Sequence, residues 1–239
     1  MPRRSKKYIE AAQKYDRDTF YSPQEAVKLA KEVSYTSFDG TVEIHMRTGL
    51  DSRRSDQQIR GVVRLPHGLG KTVRVLVFAV GEDAQLARDA GADYIISDDE
   101  GINKIMEGWV DFDIAIAVPD MMRQVGRLGR VLGRRGLMPT PKTGTVVQPE
   151  DLTRVVDEAK AGRVEYRLDR SGNIHCPIGK VSFPEEHLLA NMAALMDAIR
   201  RAKPSAVKGT YIRRVTLAPS MGPGVRVDAT QALAMESAI

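Results

Sequence analysis

The chain has one cysteine in 239 residues, Cys176. That excludes an internal disulfide and fits a reducing compartment. Aromatic residues make up 5% of it, too few for a single-strand nucleic-acid binder that works mainly by stacking bases on rings. No apolar run approaches the roughly 20 residues needed to cross a bilayer. The opening Met1-Pro2-Arg3-Arg4-Ser5-Lys6-Lys7 has no apolar stretch behind it, so it does not read as a signal peptide. A cytoplasmic location is expected, and no membrane partner.

What is present is a globular composition, 42% hydrophobic and 28% charged, and a length that suits one large or two ordinary domains. The net charge is +5, but it is unevenly placed. Residues 3–7 carry +4, and residues 121–142 carry +6 without a single acid, which leaves the remainder at −5. Basicity concentrated in two places points to a polyanionic partner more than to general solubility.

Hydrophobic periodicity divides the chain. Ser22-Pro23-Gln24-Glu25 is a helix start with a Ser cap, an early Pro and a Glu three residues on. From Val42 apolar and polar residues alternate, which reads as a half-buried strand with Thr41, Glu43 and His45 on the face opposite Val42, Ile44 and Met46. Beyond Pro66 the pattern changes. Val73–Val80 and Ile114–Val118 are almost continuously apolar and alternate with helical segments, as for a parallel sheet covered on both faces. Alternation returns over Arg163–Asp169 and Ile174–Val181, with Asp169–Asn173 predicted as a hairpin turn between them. Ser182 with Glu185 is predicted to cap a long helix that ends at Arg200 and Arg201. The expected architecture is a discontinuous two-layer α+β domain from both chain ends (1–67 and 160–239). A Rossmann-like α/β domain (68–159) is inserted in it.

Two stretches carry candidate function. Thr216–Asp228 has alternating apolar residues on the way in and out of a turn fixed by Pro219, Gly222, Pro223 and Gly224. Met221 sits at its tip. Either it offers an apolar side chain beside bare backbone to a flat partner, or it folds back into the core of an ordinary hairpin; composition alone favours the second. In residues 121–138, at roughly 100° per residue, Arg123, Arg127, Arg130 and Arg134 fall within about 60° of one another. Val125, Leu128 and Leu132 point away, and Gly126, Gly129, Gly133 and Gly136 form a bare stripe. A solvated helix face normally mixes charge signs and avoids glycine, which is costly in helices. A row of guanidiniums beside bare backbone suits a phosphate backbone.

Three enzyme-like signals fail. Gly68-Leu69-Gly70-Lys71-Thr72 ends like a phosphate-binding loop, but the first required glycine falls at Leu65 and the stretch precedes its strand. The turn Gly81-Glu82-Asp83 lacks a dinucleotide fingerprint and places two acids where pyrophosphate would sit. His175-Cys176 has no ligand or base spacing to His45, His67 or His187. No catalytic constellation, cofactor site or metal site is therefore expected. A nucleotide-dependent enzyme using the α/β domain, or a DNA-binding regulator using the basic helix, are the rival readings.

The segments Ser37-Phe38-Asp39-Gly40-Thr41-Val42-Glu43, Arg53-Arg54-Ser55-Asp56-Gln57, Leu65–Lys71, Gly133–Pro139 and Ser220-Met221-Gly222-Pro223, in this order and spacing, resemble the bacterial large-subunit ribosomal protein L1 family over essentially the whole chain. The resemblance implies binding to 23S rRNA at the mobile stalk beside the E site, assistance to departing E-site tRNA, and repression of the protein's own-operon mRNA. It also implies a monomer when free. It points to Phe38, Thr41 and Glu43 from the first strand and to Ser220, Met221, Gly222, Pro223 and Gly224 from the hairpin as RNA-binding residues. Arg3, Lys6 and Arg167 would add phosphate contacts. Arg123, Arg127, Arg130, Arg134 and Arg135 would make secondary RNA or tRNA contacts. The chain departs from the usual family pattern at three places: Ser220 stands for a threonine, Arg135 for a common proline, and Ser37 for a frequent lysine. An internal salt bridge is the alternative role for Glu43.

Overall fold

A computed structural model describes residues 4–236; Arg3 therefore lies outside the described residues. In chain order the elements are α1 (Lys6–Ala12), α2 (Pro23–Glu32), β1 (Thr41–Thr48), β2 (Arg60–Arg64), β3 (Val75–Phe78), α3 (Glu82–Asp89), β4 (Tyr94–Ile96), α4 (Asp99–Met106) and β5 (Ile114–Ala117). They continue with α5 (Met122–Val125), α6 (Gly129–Arg135), α7 (Leu152–Lys160), β6 (Arg163–Arg167), β7 (Asn173–Lys180), α8 (Glu185–Arg201), β8 (Ile212–Pro219), β9 (Val225–Val227) and α9 (Ala229–Ala234). The chain divides into two compact units, Met1–Gly70 with Val164–Ile239 and Lys71–Arg163.

These boundaries fall later than residues 67/68 and 159/160, for local reasons. Asn191, fully buried on α8, accepts from the His67 amide at 3.0 Å and donates to the Gly68 carbonyl at 2.9 Å. Gly70 has φ +68, and a Cβ there would press on the Phe183 ring at 2.7 Å. Both contacts keep residues 67–70 with the first unit. Arg163 donates to the carbonyls of Thr143 and Gly144, which keeps it with the second.

In the first unit four strands run in the order β7-β1-β8-β9, and β2 pairs with β6 in a separate two-stranded sheet. Val42, Ile44 and Met46 of β1, Ile174, Cys176 and Ile178 of β7, and Val215 and Leu217 of β8 are buried in one core. Period-two alternation sends all of them to one face, where α2 and α8 supply Ala26, Val27, Ala30, Leu188, Met192 and Leu195. The capping box at the start of α2 is complete: Ser22 Oγ accepts from the Glu25 amide, and the Glu25 carboxylate accepts from the Ser22 amide. The other face of the four-stranded sheet carries partly or fully exposed residues, among them Glu43, His45, Arg47, His175, Arg214 and Thr216.

Two local expectations are corrected here. Ser182 does not cap α8; its hydroxyl donates to the Asp39 carboxylate at 2.8 Å, and Pro184 occupies the cap position without a side-chain bond. Asp39 holds Ser182 by both the serine amide and its hydroxyl, two residues ahead of the cap position. The Asp169–Asn173 turn does form, with Gly172 N–H donating to Asp169 O at 3.2 Å, but its arms diverge. Its first arm, β6, pairs with β2, and its second, β7, with β1. Next to the turn the arms are joined by the Leu168–Ile174 bridge and by Asp169 N–H donating to Asn173 O at 2.8 Å.

The second unit is a three-stranded parallel sheet in the order β4-β3-β5. All four residues of β3 are buried. Leu76 and Phe78 pack with Ile102 and Ile105 of α4 and with Val125, Leu128 and Leu132, while Val75 and Val77 pack with Ala87 of α3 and with Val155 and Val156 of α7. Helices on both faces explain the continuous apolar runs of these strands. No helix among the described residues is long and apolar enough to cross a membrane.

Candidate nucleic-acid interface

The first candidate region forms where opposite ends of the chain meet. The antiparallel register of β1 and β8 places Val42 opposite Pro219. One step further out, the Ser220 amide donates to Thr41 O at 2.9 Å and the Thr41 amide donates to Ser220 Oγ at 2.9 Å. Ser220 thus extends the ladder by one residue with its side chain, so its hydroxyl already has partners in the protein. The segment before Thr41 and the loop after Ser220 emerge together. Phe38 is 59% exposed and Met221 55%. Burying either on a partner would be favourable by about 1.5–3 kcal/mol, so their exposure needs a reason. Met221 does not fold back into the core.

The loop owes its shape to crowding. A Cβ on Gly222 would lie 2.3 Å from Pro219 Cγ and 3.0 Å from the Val33 carbonyl oxygen, and one on Gly224 would lie 2.9 Å from Thr216 Cγ2. Pro223 is buried and shapes the turn; its ring is not offered to a partner. Two residues that sequence reasoning missed hold the region in place. Tyr15 donates from its hydroxyl to Gly224 O at 2.8 Å. Lys180, at the end of β7, donates to Thr41 Oγ1 at 3.1 Å and to Asp39 O at 3.4 Å. The Lys180 ammonium leaves the Thr41 hydroxyl hydrogen free to donate. No local signal marked Lys180, since Thr41 lies 139 residues away in the chain.

Glu43 lies on the open sheet face, its Oε2 3.9 Å from His45 Nε2. Lys6 opens α1, whose cap is Ser5, and Arg167 ends β6 on an exposed edge position. Cys176, on the opposite, core-facing side of β7, is buried, and that burial, with Glu43 nearby, pushes its thiol up to about 12. It is inert as a nucleophile near neutral pH.

The arginine-rich stretch is helical but interrupted. It is a 3₁₀ turn (119–121), then α5, a second 3₁₀ turn (126–128) and α6, which ends at Gly136 with φ +72. Glycine's low helix propensity accounts for the tightening at 126–128. The amphipathic division persists: Val125, Leu128 and Leu132 are buried, while Arg123, Arg127, Arg130, Arg134 and Arg135 are exposed. Among the described residues none of these five arginines makes an ion pair or a side-chain hydrogen bond. By contrast Lys71, in the stretch that resembles a phosphate-binding loop, is paired with Asp113 at 2.5 Å. The described residues hold no group of three or more His, Cys, Asp or Glu side chains arranged for a metal ion.

Comparison with known proteins gives the class first. Residues 30–223 match the ribosomal protein L1p/L10e family, and the chain belongs to that family of structural, non-enzymatic ribosomal proteins. It is 61% identical over 228 residues to the large ribosomal subunit protein uL1 of Chloroflexus aggregans, covering 95% of this chain and 96% of that one. It is 56% identical over 226 residues to the uL1 protein of Thermobifida fusca, covering 95% of each.

Proposed function

We propose that this chain is a constituent of the large ribosomal subunit that binds 23S rRNA at the mobile stalk beside the E site. Phe38, Thr41, Glu43, Ser220, Met221 and Gly222 form the selective seat. The observation that carries the reading is the Thr41–Ser220 lock, from which two segments emerge with the large apolar side chains Phe38 and Met221 exposed. Selective readout of folded RNA needs hydrogen bonds to base edges and 2′-hydroxyls, together with flat apolar contact. The Thr41 hydroxyl and the Glu43 carboxylate supply the first, and Phe38 and Met221 the second. Lys6 and Arg167, with Arg3 beyond the described residues, add salt-sensitive affinity that does not discriminate sequence.

The unpaired arginines of the second unit make the secondary contacts, to E-site tRNA as it leaves. The same seat binds a similar element in the own-operon mRNA and represses its translation. The protein acts as a monomer until it joins the subunit in the cytoplasm. Competition of a stalk rRNA fragment against bulk tRNA at two salt concentrations tests this reading. Selectivity for the fragment that survives the higher salt supports it, and equal displacement by tRNA at both would sink it. An own-mRNA leader fragment in the same assay should displace the rRNA fragment.

A further inference from the structure

The open face of the four-stranded sheet holds a histidine pair that the proposed RNA seat does not use. The strand registers set His45 opposite His175 on one side and Thr216 on the other, with Arg47 opposite Asn173 and Arg214 in the next row but one. The two imidazoles meet with Nδ1 atoms 2.9 Å apart. Their outer nitrogens face carboxylates: His45 Nε2 lies 3.9 Å from Glu43 and His175 Nε2 lies 3.5 Å from Asp169.

This arrangement selects a protonation state. A bond between two Nδ1 atoms needs one to donate and the other to accept. In a neutral pair only one outer nitrogen then carries hydrogen, so a bare lone pair faces a carboxylate. In a doubly protonated pair two N–H groups meet head-on at 2.9 Å. One added proton satisfies every position, with a shared inner hydrogen and an N–H toward each carboxylate. The neighbouring cations oppose that proton. Arg213 and Arg214 of β8 make no ion pair among the described residues, and Arg47 of β1 spends one nitrogen on Ser171 O and Asn173 Oδ1. On β9, Arg226 is held 3.1 Å from Asp18. Burial first, and His175 second, hold the His45 pKa below the usual histidine range, against the pull of Glu43.

His45, Arg47, Asn173, His175, Arg213 and Arg214 line one concavity of about 610 Å³. We propose that this concavity is a proton-linked phosphate site, in which one phosphate group lies against Arg47, Arg213 and Arg214 while the histidine pair takes up one proton from solvent. An anion there offsets the arginine repulsion, so binding and protonation favour each other. The inference rests on the RNA reading for its natural ligand, an RNA phosphodiester, and free inorganic phosphate shares the chemistry.

Two measurements on the full chain separate the claims. The first is an NMR titration of the imidazole nitrogens with and without inorganic phosphate. It should show phosphate raising the pair's apparent pKa, and Arg214→Gln should reduce that effect. The second is affinity for the stalk rRNA fragment at constant salt. It should tighten about three- to tenfold from about pH 7.5 to 6, since one linked proton permits at most about tenfold per unit. His175→Gln, checked for folding by its amide spectrum, should flatten the pH dependence. If phosphate leaves the histidines unmoved, or if His175→Gln keeps the slope, the site is wrong while selective RNA binding can still stand. If phosphate moves the histidines but no RNA binds at any pH, the site stands and the RNA reading falls.

Discussion

A Cβ on Gly49 would lie 2.2 Å from the Thr210 carbonyl oxygen, whereas on Gly126, Gly129 or Gly133 it would meet nothing within 4 Å. At Gly49, Gly61, Gly222 and Gly224 of the first unit glycine is demanded from inside, because backbone or a side chain occupies the space. On the arginine stretch of the second unit nothing in the protein demands it, and glycine there costs helix stability. Charge differs in the same sense. Elsewhere in the second unit Lys71, Arg74, Arg154 and Lys160 are each paired with aspartate or glutamate. Among the described residues the five arginines from Arg123 to Arg135 have no such partner. A residue whose cost is not repaid within the fold points to a partner outside it. The contrast teaches that a glycine row is informative only once the space around it is known.

Substitutions can break this contrast. The largest effect should come from Gly49→Ala, which forces a Cβ against backbone and should destabilise the first unit by about 1–3 kcal/mol. Gly129→Ala should instead stabilise by about 0.5–1 kcal/mol while weakening RNA association. Urea unfolding of both variants checks the pair, and equal losses would remove the contrast. Next, Met221→Asp should weaken binding to a stalk rRNA fragment about tenfold, since it replaces apolar contact with charge beside phosphate. Unchanged affinity in filter binding, with the fold intact, would refute a role for Met221. A smaller effect is expected of Arg127→Glu with Arg130→Glu. The log–log salt slope of tRNA association should fall by about 1.5, with rRNA selectivity kept; lost selectivity would overturn the division of labour between the units. Smallest is an effect on Cys176. With its thiol held up at about 12 by burial and Glu43, it should resist iodoacetamide near pH 8 in the folded chain and react once urea unfolds it.

Much of this was legible along the chain because the cause lay within a few residues. The Ser22–Glu25 capping box, the alternation of β1 and the buried run of β3 are local, and all three appear in the fold. Where the decisive partner was distant, local reading erred. Ser182 found Asp39 instead of its own helix, and the arms of the Asp169 turn went to different sheets. The region around Thr41 shows both cases. Phe38 and Met221 stood out by type, but nothing near them announced Tyr15 or Lys180.

By itself the sequence determined the main strands and helices and where positive charge collects, since spacing and composition govern these. Only the tertiary structure decided that residue 41 meets residue 220, that His45 meets His175, and that the stripe glycines face open space. Those facts depend on strand register and on atoms far away in the chain, where periodicity carries no information.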